Sequence, residues 1–173
     1  MSNHTSDRRA TELRFIPAAS TDLPDLEEIR AAAFAPVFAS FREILGEQIY
    51  EAAQRPEDEA QSGLLVELFA DASPWEVYLA QEGERTVGFV SIRLDEEAGV
   101  GEFGLNAVAP RAAGRGIGTA MYDFALERMR RAGMRVATVA TGGDPSHAPA
   151  RRAYRKAGFD VEIPSLWMCR VID

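Results

Sequence analysis

Cysteine, histidine and lysine are scarce in this chain of 173 residues, and each shortage removes a class of chemistry. Cys169 stands alone, so no internal disulfide can form, and with two histidines in the whole sequence no metal site is expected. Lys156 is the only lysine and lies far from any glycine-rich turn, so a nucleotide P-loop, which needs Gly-x-x-x-x-Gly-Lys-Ser/Thr, is excluded. No run approaches the roughly 18 to 20 apolar residues of a membrane span. The first residues, MSNHTSDRRATE, are polar where a secretory leader would carry an apolar core. A cytoplasmic location with no membrane partner is therefore expected, with residues 1–10 as a flexible terminus and residues 11–173 as one domain.

What is present is an ordinary globular composition, 46% apolar and 27% charged, with a net charge of −8. That balance argues against a nucleic-acid partner. The charge is uneven: residues 1–100 hold 8 basic and 20 acidic side chains, whereas residues 101–173 hold 11 basic and 7 acidic ones. A polyanionic small molecule would meet the basic half, although Arg128, Arg130 and Arg131 also suit a solvated helix C-terminus.

The apolar spacing gives an alternation of elements. Leu13 to Pro17 reads as a strand, and Ser20-Thr21-Asp22 caps a helix that Pro36 is expected to interrupt. A second helical segment follows over VFASFREILGEQIYEAA, the charged stretch RPEDEAQ reads as a break, and GLLVELFADA reads as a short third helix. From Trp75 the period changes to two, with strands over WEVYLAQ, TVGFVSIRL and EFGLNAVAP. Ile117, Met121, Phe124, Ala125 and Met129 form a helical stripe, RVATVAT is a buried strand, and a last helix reaches Ala157 before Gly158. FDVEIPSLWMCRVI is expected to supply one or two closing strands. The order implies an α/β fold in three layers, α/β/α, around a mixed sheet.

Residues 104 to 119, GLNAVAPRAAGRGIGT, carry the strongest functional signal. A strand runs into a turn with glycine at 114, 116 and 118 and then into a helix, so backbone N–H groups can converge on an anion at the helix N-terminus. The dinucleotide spacing Gly-x-Gly-x-x-Gly/Ala fails, because Thr119 or Met121 falls in its last slot. Methyl transfer from an S-adenosyl donor fits poorly, since its glycine loop follows the first strand of a domain and this one follows three more.

VAPRAAGRGIGTAM resembles the coenzyme-binding motif of the GNAT N-acetyltransferases, Arg/Gln-x-x-Gly-x-Gly/Ala, and HAPARRAYRKAGF resembles their second motif, Asn-x-x-Ala-x-x-x-Tyr-x-x-x-Gly-Phe. Residues 75 to 160 carry the likeness. The motif opens either at Ala113 or at Arg111, both registers being open, and His147 stands where the family has asparagine. The resemblance implies one N-acetyltransferase domain with a central mixed, mostly antiparallel twisted sheet, and acetyl-CoA as cosubstrate. It implies pyrophosphate contacts from Ala113, Gly114, Arg115, Gly116, Ile117, Gly118 and Thr119, with His147, Ala150 and Arg151 also toward the coenzyme. The strand end at Asn106, Ala107 and Val108 would pair with the pantetheine arm, and the N–H near Asn106 would steady the thioester oxygen.

Thioester acyl transfer needs an acid for the departing thiolate and a base for the amine. Tyr154, on one helix face with Ala150, is the candidate acid, and a core tyrosine is the competing reading. Glu102 is the candidate base, because four residues along a strand place it on the face of Asn106; a solvated strand-end carboxylate is the equal alternative. The expected reaction is direct transfer to a primary amine in a ternary complex, with a small molecule favoured over a protein as acceptor. A silent acyl-CoA-binding sensor is the alternative. Phe34, Phe38, Phe41, Trp75 and Trp167 are candidate acceptor-pocket residues, although aromatics of this kind more often build core. The apolar LWMC near the end suits a core or the edge of a homodimer.

Overall fold

The computed structural model describes residues 12–172. Strand β1 (Leu13–Pro17) leads to helix α1 (Leu23–Ile49), a π-helical turn over Tyr50–Gln54, and α2 (Arg55–Glu67). Three strands follow, β2 (Trp75–Glu82), β3 (Arg85–Asp95) and β4 (Val100–Val108), then α3 (Ile117–Arg131), β5 (Val136–Val139) and α4 (Ala148–Lys156). The sheet order is β1-β2-β3-β4-β5, antiparallel throughout except for the parallel β4–β5 pair. The helices cover opposite faces. Leu26, Ile29, Leu65 and Leu68 of α1 and α2 pack on Val77, Leu79, Phe89 and Ala107, while Met121, Ala125 and Met129 of α3 and Tyr154 of α4 pack on Val90, Ile92 and Phe103. This is the three-layer arrangement read from the alternation of elements. Among the described residues no helix is long and apolar enough to cross a membrane.

Several element boundaries differ from the sequence reading, each for a local reason. Pro36 does not end α1: Ala32 and Pro36 both lie on its exposed face, so the carbonyl that proline leaves without a donor meets water. The break comes at Gly46, whose φ of 71° no helix accommodates. RPEDEAQ is the start of α2 and not a break. Its Pro56 sits in the first turn, Arg55 pairs with Glu51 and Glu59, and buried Asp58 accepts hydrogen bonds from Tyr50 Oη at 2.9 Å and Gln54 Nε2 at 2.8 Å. In α3, Tyr122 is buried, whereas Phe124 is only half covered, stacking on Phe15 at the margin. The closing strands do not form: residues 159–172 have no regular structure, Phe159 packs on Phe103 and Tyr154, and the large apolar side chains from Val161 onward are exposed.

The feature that shapes the site is a bulge in β4. Phe103 pairs with Ile92 and Asn106 with Val90, so Gly104 and Leu105 together oppose Ser91. Ser91 is fully buried and donates from Oγ to the Leu105 carbonyl at 3.0 Å, satisfying the group the bulge frees. A Cβ at Gly104 would stand 2.4 Å from Trp75 Cζ3 and 2.6 Å from Ser91 Oγ, so the bulge needs glycine for space. Gly104→Ala is expected to lower unfolding stability by about 1–3 kcal/mol, the range for overpacking a filled site, measurable as a reduced urea midpoint with an altered Trp75 fluorescence.

Candidate active site

Strand β4 is bonded to β3 up to Val108, but to β5 only from Val100 to Phe103. β5 ends at Val139, opposite Phe103, so the β5-side edge of Gly104 to Val108 is left without a ladder partner as an open slot. Asn106, Ala107 and Val108, the residues expected along an acyl carrier, lie on this edge. The edge presents unpaired backbone groups of the kind an extended amide chain completes.

At the end of this edge the chain makes the glycine turn. Gly114 and Gly116 have φ of 74° and 84°, and a Cβ on either would meet nothing within 4 Å; glycine is required there by conformation and not by space. Gly116 is the N-cap of α3 and offers no capping side chain, and the first intrahelical donor is Ala120, bonded to the Gly116 carbonyl at 3.0 Å. The N–H groups of Ile117, Gly118 and Thr119 are thus the free donors of the first turn. They form the positive end of a 15-residue helix. Gly118 is already helical, and a Cβ there would only touch Val108 Cγ2 at 3.9 Å.

The two arginines of the turn are occupied by the protein. Arg111 NH2 donates to the Thr86 carbonyl at 2.9 Å, and Arg115 forks onto the Glu82 carboxylate at 2.6 and 3.1 Å. Both tie the turn to the end of the β2–β3 hairpin. Ala113, the other residue that could open the motif, is in extended conformation ahead of Gly114. Beside Arg111 lies a broad basin of about 580 Å³ lined by Asp25, Glu28, Glu82, Glu84 and Arg85, away from the slot between β4 and β5.

On the α3/α4 side of the slot three side chains form one network. Asn106 Nδ2 donates to Tyr154 Oη at 3.1 Å and to the Gly104 carbonyl at 3.0 Å, and its Oδ1 accepts from Tyr122 Oη at 2.9 Å. The two tyrosine rings stack with centroids 4.6 Å apart, and Phe103 and Phe159 meet them edge-on. Burial, reinforced by the Tyr154 phenol, pushes the Tyr122 hydroxyl well above the ordinary tyrosine range, so Tyr122 stays a donor to Asn106. Because the Asn106 amide supplies a proton to Tyr154 Oη, the phenol's own proton remains available. The sequence reading reached Asn106 and Tyr154 but not Tyr122, which falls between the residues counted in the α3 stripe. Its spacing of three before Ala125 was the only signal.

The bulge corrects one expectation. Asn106 faces the α3/α4 layer, as Phe103 does, but the extra residue at 104–105 puts Glu102 on the opposite, α1/α2 face, where its carboxylate pairs with Arg93. Arg93 in turn lies 5.5 Å over the Trp75 ring. Trp75, Leu105, Leu64, Leu68 and Glu67 line a cleft of about 290 Å³ beside the bulge. Of the other aromatics, Phe34, Phe38 and Phe41 form a half-buried stripe along α1. Trp167 is 61% exposed and lines neither of these two clefts.

The loop before α4 is held by Asp144. Its carboxylate accepts from the Ser146 N–H at 2.9 Å and meets His147 Nδ1 at 2.5 Å. Burial opposes ionisation of Asp144, yet the Ser146 and His147 hydrogen bonds outweigh it and hold the carboxyl below the usual aspartate range. Arg151 NH1 donates to the carbonyls of Gly142 and Asp144 at 2.5 and 2.8 Å, so Arg151 braces the loop instead of reaching outward. His147 packs on Phe41 of α1 at 5.9 Å, and Ala150 packs toward the α3 layer.

An open strand edge, a glycine turn at a helix N-terminus and a tyrosine set against the edge can together receive an extended amide chain that ends in an anion. Solved structures share the fold that carries these elements. The PaiA N-acetyltransferase of Thermoplasma acidophilum, solved with coenzyme A, superposes with a TM-score of 0.68 at 17% identity over 89% of this chain and 93% of its own. A GNAT-family acetyltransferase of Brucella melitensis solved with acetyl-CoA gives 0.61 at 20% identity over 87% and 84%. An aminoglycoside acetyltransferase from an uncultured soil metagenomic sample, in complex with sisomicin, gives 0.58 at 18% identity over 93% and 97%. At these identities the likeness is one of fold. No curated protein matches the sequence. The family description for acetyltransferases of the GNAT family, however, matches residues 38–159, which span the open strand edge, the glycine turn and Tyr154, and by that match the chain belongs to the acetyltransferase (GNAT) family.

Proposed function

We propose that the protein transfers the acetyl group of acetyl-CoA directly to a primary amine of a small molecule within a ternary complex. The observation that carries this reading is the open β4 edge at Gly104–Val108, bounded at one end by the free N–H groups of Ile117–Thr119 and on one face by the Tyr154 hydroxyl. The first-turn donors hold the pyrophosphate, and Arg115, itself half-exposed and forked onto Glu82, stands beside them to reach a phosphate. Asn106 and Ala107 pair with the pantetheine amides. The N–H near Asn106 steadies the thioester oxygen as charge develops on it.

The amine nitrogen attacks the thioester carbonyl carbon, the carbon–sulfur bond breaks, and the Tyr154 phenolic proton passes to the coenzyme sulfur. The amine loses its proton to Glu102 through water. Glu102 lies on the face opposite Tyr154, which sets the acid on the leaving-group side and the base on the acceptor side. The cleft lined by Leu64, Leu68, Trp75 and Leu105, with Glu67 at its polar margin, suits an amine that carries an apolar portion. The sisomicin complex of one structural neighbour is an amine-bearing small molecule in the same fold.

Titration calorimetry with acetyl-CoA, followed by thiol release over a panel of small amines, tests the reading. Binding with amine-dependent thiol release is the expected outcome; no binding of acetyl-CoA would remove the proposal.

A further inference from the structure

Tyr122 is a buried titratable group that the acyl-transfer reading leaves without a task. It is 4% exposed on the inner face of α3, and its hydroxyl donates to Asn106 Oδ1 at 2.9 Å. A leucine at each of the two positions would fill the same contact with no polar atom to satisfy, so packing alone does not account for the pair. What the pair does reach is the Tyr154 hydroxyl, 3.1 Å from Asn106 Nδ2.

The neighbours of the Asn106 amide fix which way round it sits. The Gly104 carbonyl, 3.0 Å away in the bulge, can only accept, so the atom that faces it is Nδ2 and the oxygen is turned to Tyr122. Burial keeps Tyr122 a neutral phenol, so that oxygen always has its donor. One proton of Nδ2 goes to the Gly104 carbonyl and the other to Tyr154 Oη. The row Tyr122, Asn106, Tyr154 therefore runs in one direction. It ends on a hydroxyl that accepts from the protein and keeps its own hydrogen for the open slot.

We propose that the Asn106 side chain, anchored by Tyr122, positions Tyr154 as the acid: it directs the phenolic proton into the slot and steadies the phenolate left after transfer. This rests on the acid role given to Tyr154 in the proposed reaction. As the carbon–sulfur bond breaks, its electron pair goes to sulfur, the Tyr154 O–H bond breaks and an S–H bond forms, leaving the negative charge on Oη. The contact from Nδ2 then becomes a hydrogen bond to an anion, which is about twice as strong as one to a neutral oxygen. That gain arises only as the proton leaves, so it favours the transition state and not coenzyme binding. Solvent returns a proton to the phenolate and balances the one that the amine releases.

Kinetics and calorimetry on Asn106→Leu, Asn106→Asp and Tyr122→Phe, each made alone and together with Tyr154→Phe, test this. Asn106→Leu is expected to lower kcat by about 10- to 10²-fold, the range of one hydrogen bond to a charged group, with acetyl-CoA affinity retained. Asn106→Asp keeps the shape yet loses more, because its carboxylate takes the Tyr154 proton for itself and repels the phenolate; packing alone would rank the two variants the other way. Tyr122→Phe, the mildest change to the fold, is expected to cost about 2- to 10-fold in kcat, the range of one neutral hydrogen bond. Combined with Tyr154→Phe, all three losses disappear, since no acid remains to be positioned, whereas a structural effect would persist. Losses of equal size in both backgrounds overturn the proposal. So does full kcat in Asn106→Leu while Tyr154→Phe is impaired, a result that leaves the acid role standing. No turnover by the unsubstituted chain, or an unchanged kcat in Tyr154→Phe, removes the reaction or the acid and this proposal with it.

Discussion

Tyr154→Phe is expected to lower kcat by about 10²- to 10⁴-fold, the range for removing a positioned general acid, while acetyl-CoA binding stays close to wild type. The substitution removes one oxygen and little else. The phenyl ring keeps its 4.6 Å stack on Tyr122 and its edge contact with Phe159, and Asn106 Nδ2 keeps the Gly104 carbonyl as acceptor. What disappears is the proton that the proposed mechanism passes to the departing thiolate. Loss of kcat with retained affinity identifies a group that acts in the transition state; a parallel loss of both would instead identify a packing role for the ring. Steady-state kinetics beside calorimetry separates the two, and an unchanged kcat would remove Tyr154 as the acid.

The glycine turn, the tyrosine and the layer order were legible because each is written in consecutive residues or in one helical period. The face of Glu102 was not, because period two holds only for an unbroken ladder, and the break at Gly104–Leu105 is decided by what stands opposite: fully buried Ser91 and the edge of Trp75. RPEDEAQ reads as a solvated break until Tyr50 and Gln54 are seen to satisfy Asp58 across a π-helical turn. The arginines near the turn and in α4 look like phosphate ligands in sequence. In space Arg111 and Arg151 are braces on carbonyls, whereas Arg115 and Arg155 are paired with the carboxylates of Glu82 and Glu162. Residues 159–172 carry the apolar content of a strand, yet they pair with no described strand, so periodicity alone overstated the sheet.

The three glycines of the turn, equivalent by eye in the sequence, are expected to behave very differently when replaced. Gly116→Val should raise the Kd for acetyl-CoA by about 10²-fold. A β-branched residue held at a φ of 84° carries roughly 1–3 kcal/mol of strain, and the backbone relieves it by rotating the very peptide that starts α3. The N–H groups of Ile117 to Thr119 then lose their convergence, and with it charge-assisted hydrogen bonds of about 1.5–3 kcal/mol each. A Cβ at Gly116 would meet no atom of the chain within 4 Å, so the strain within the chain is one of conformation. Gly118→Ala is the matched control. Its backbone is already helical and its nearest neighbour would be Val108 Cγ2 at 3.9 Å, so alanine there strengthens the first turn of α3 and leaves the donors in place. Calorimetry on the pair, with thermal unfolding to exclude loss of fold, decides the matter. Equal affinities for Gly116→Val and Gly118→Ala would show that the pyrophosphate is held elsewhere.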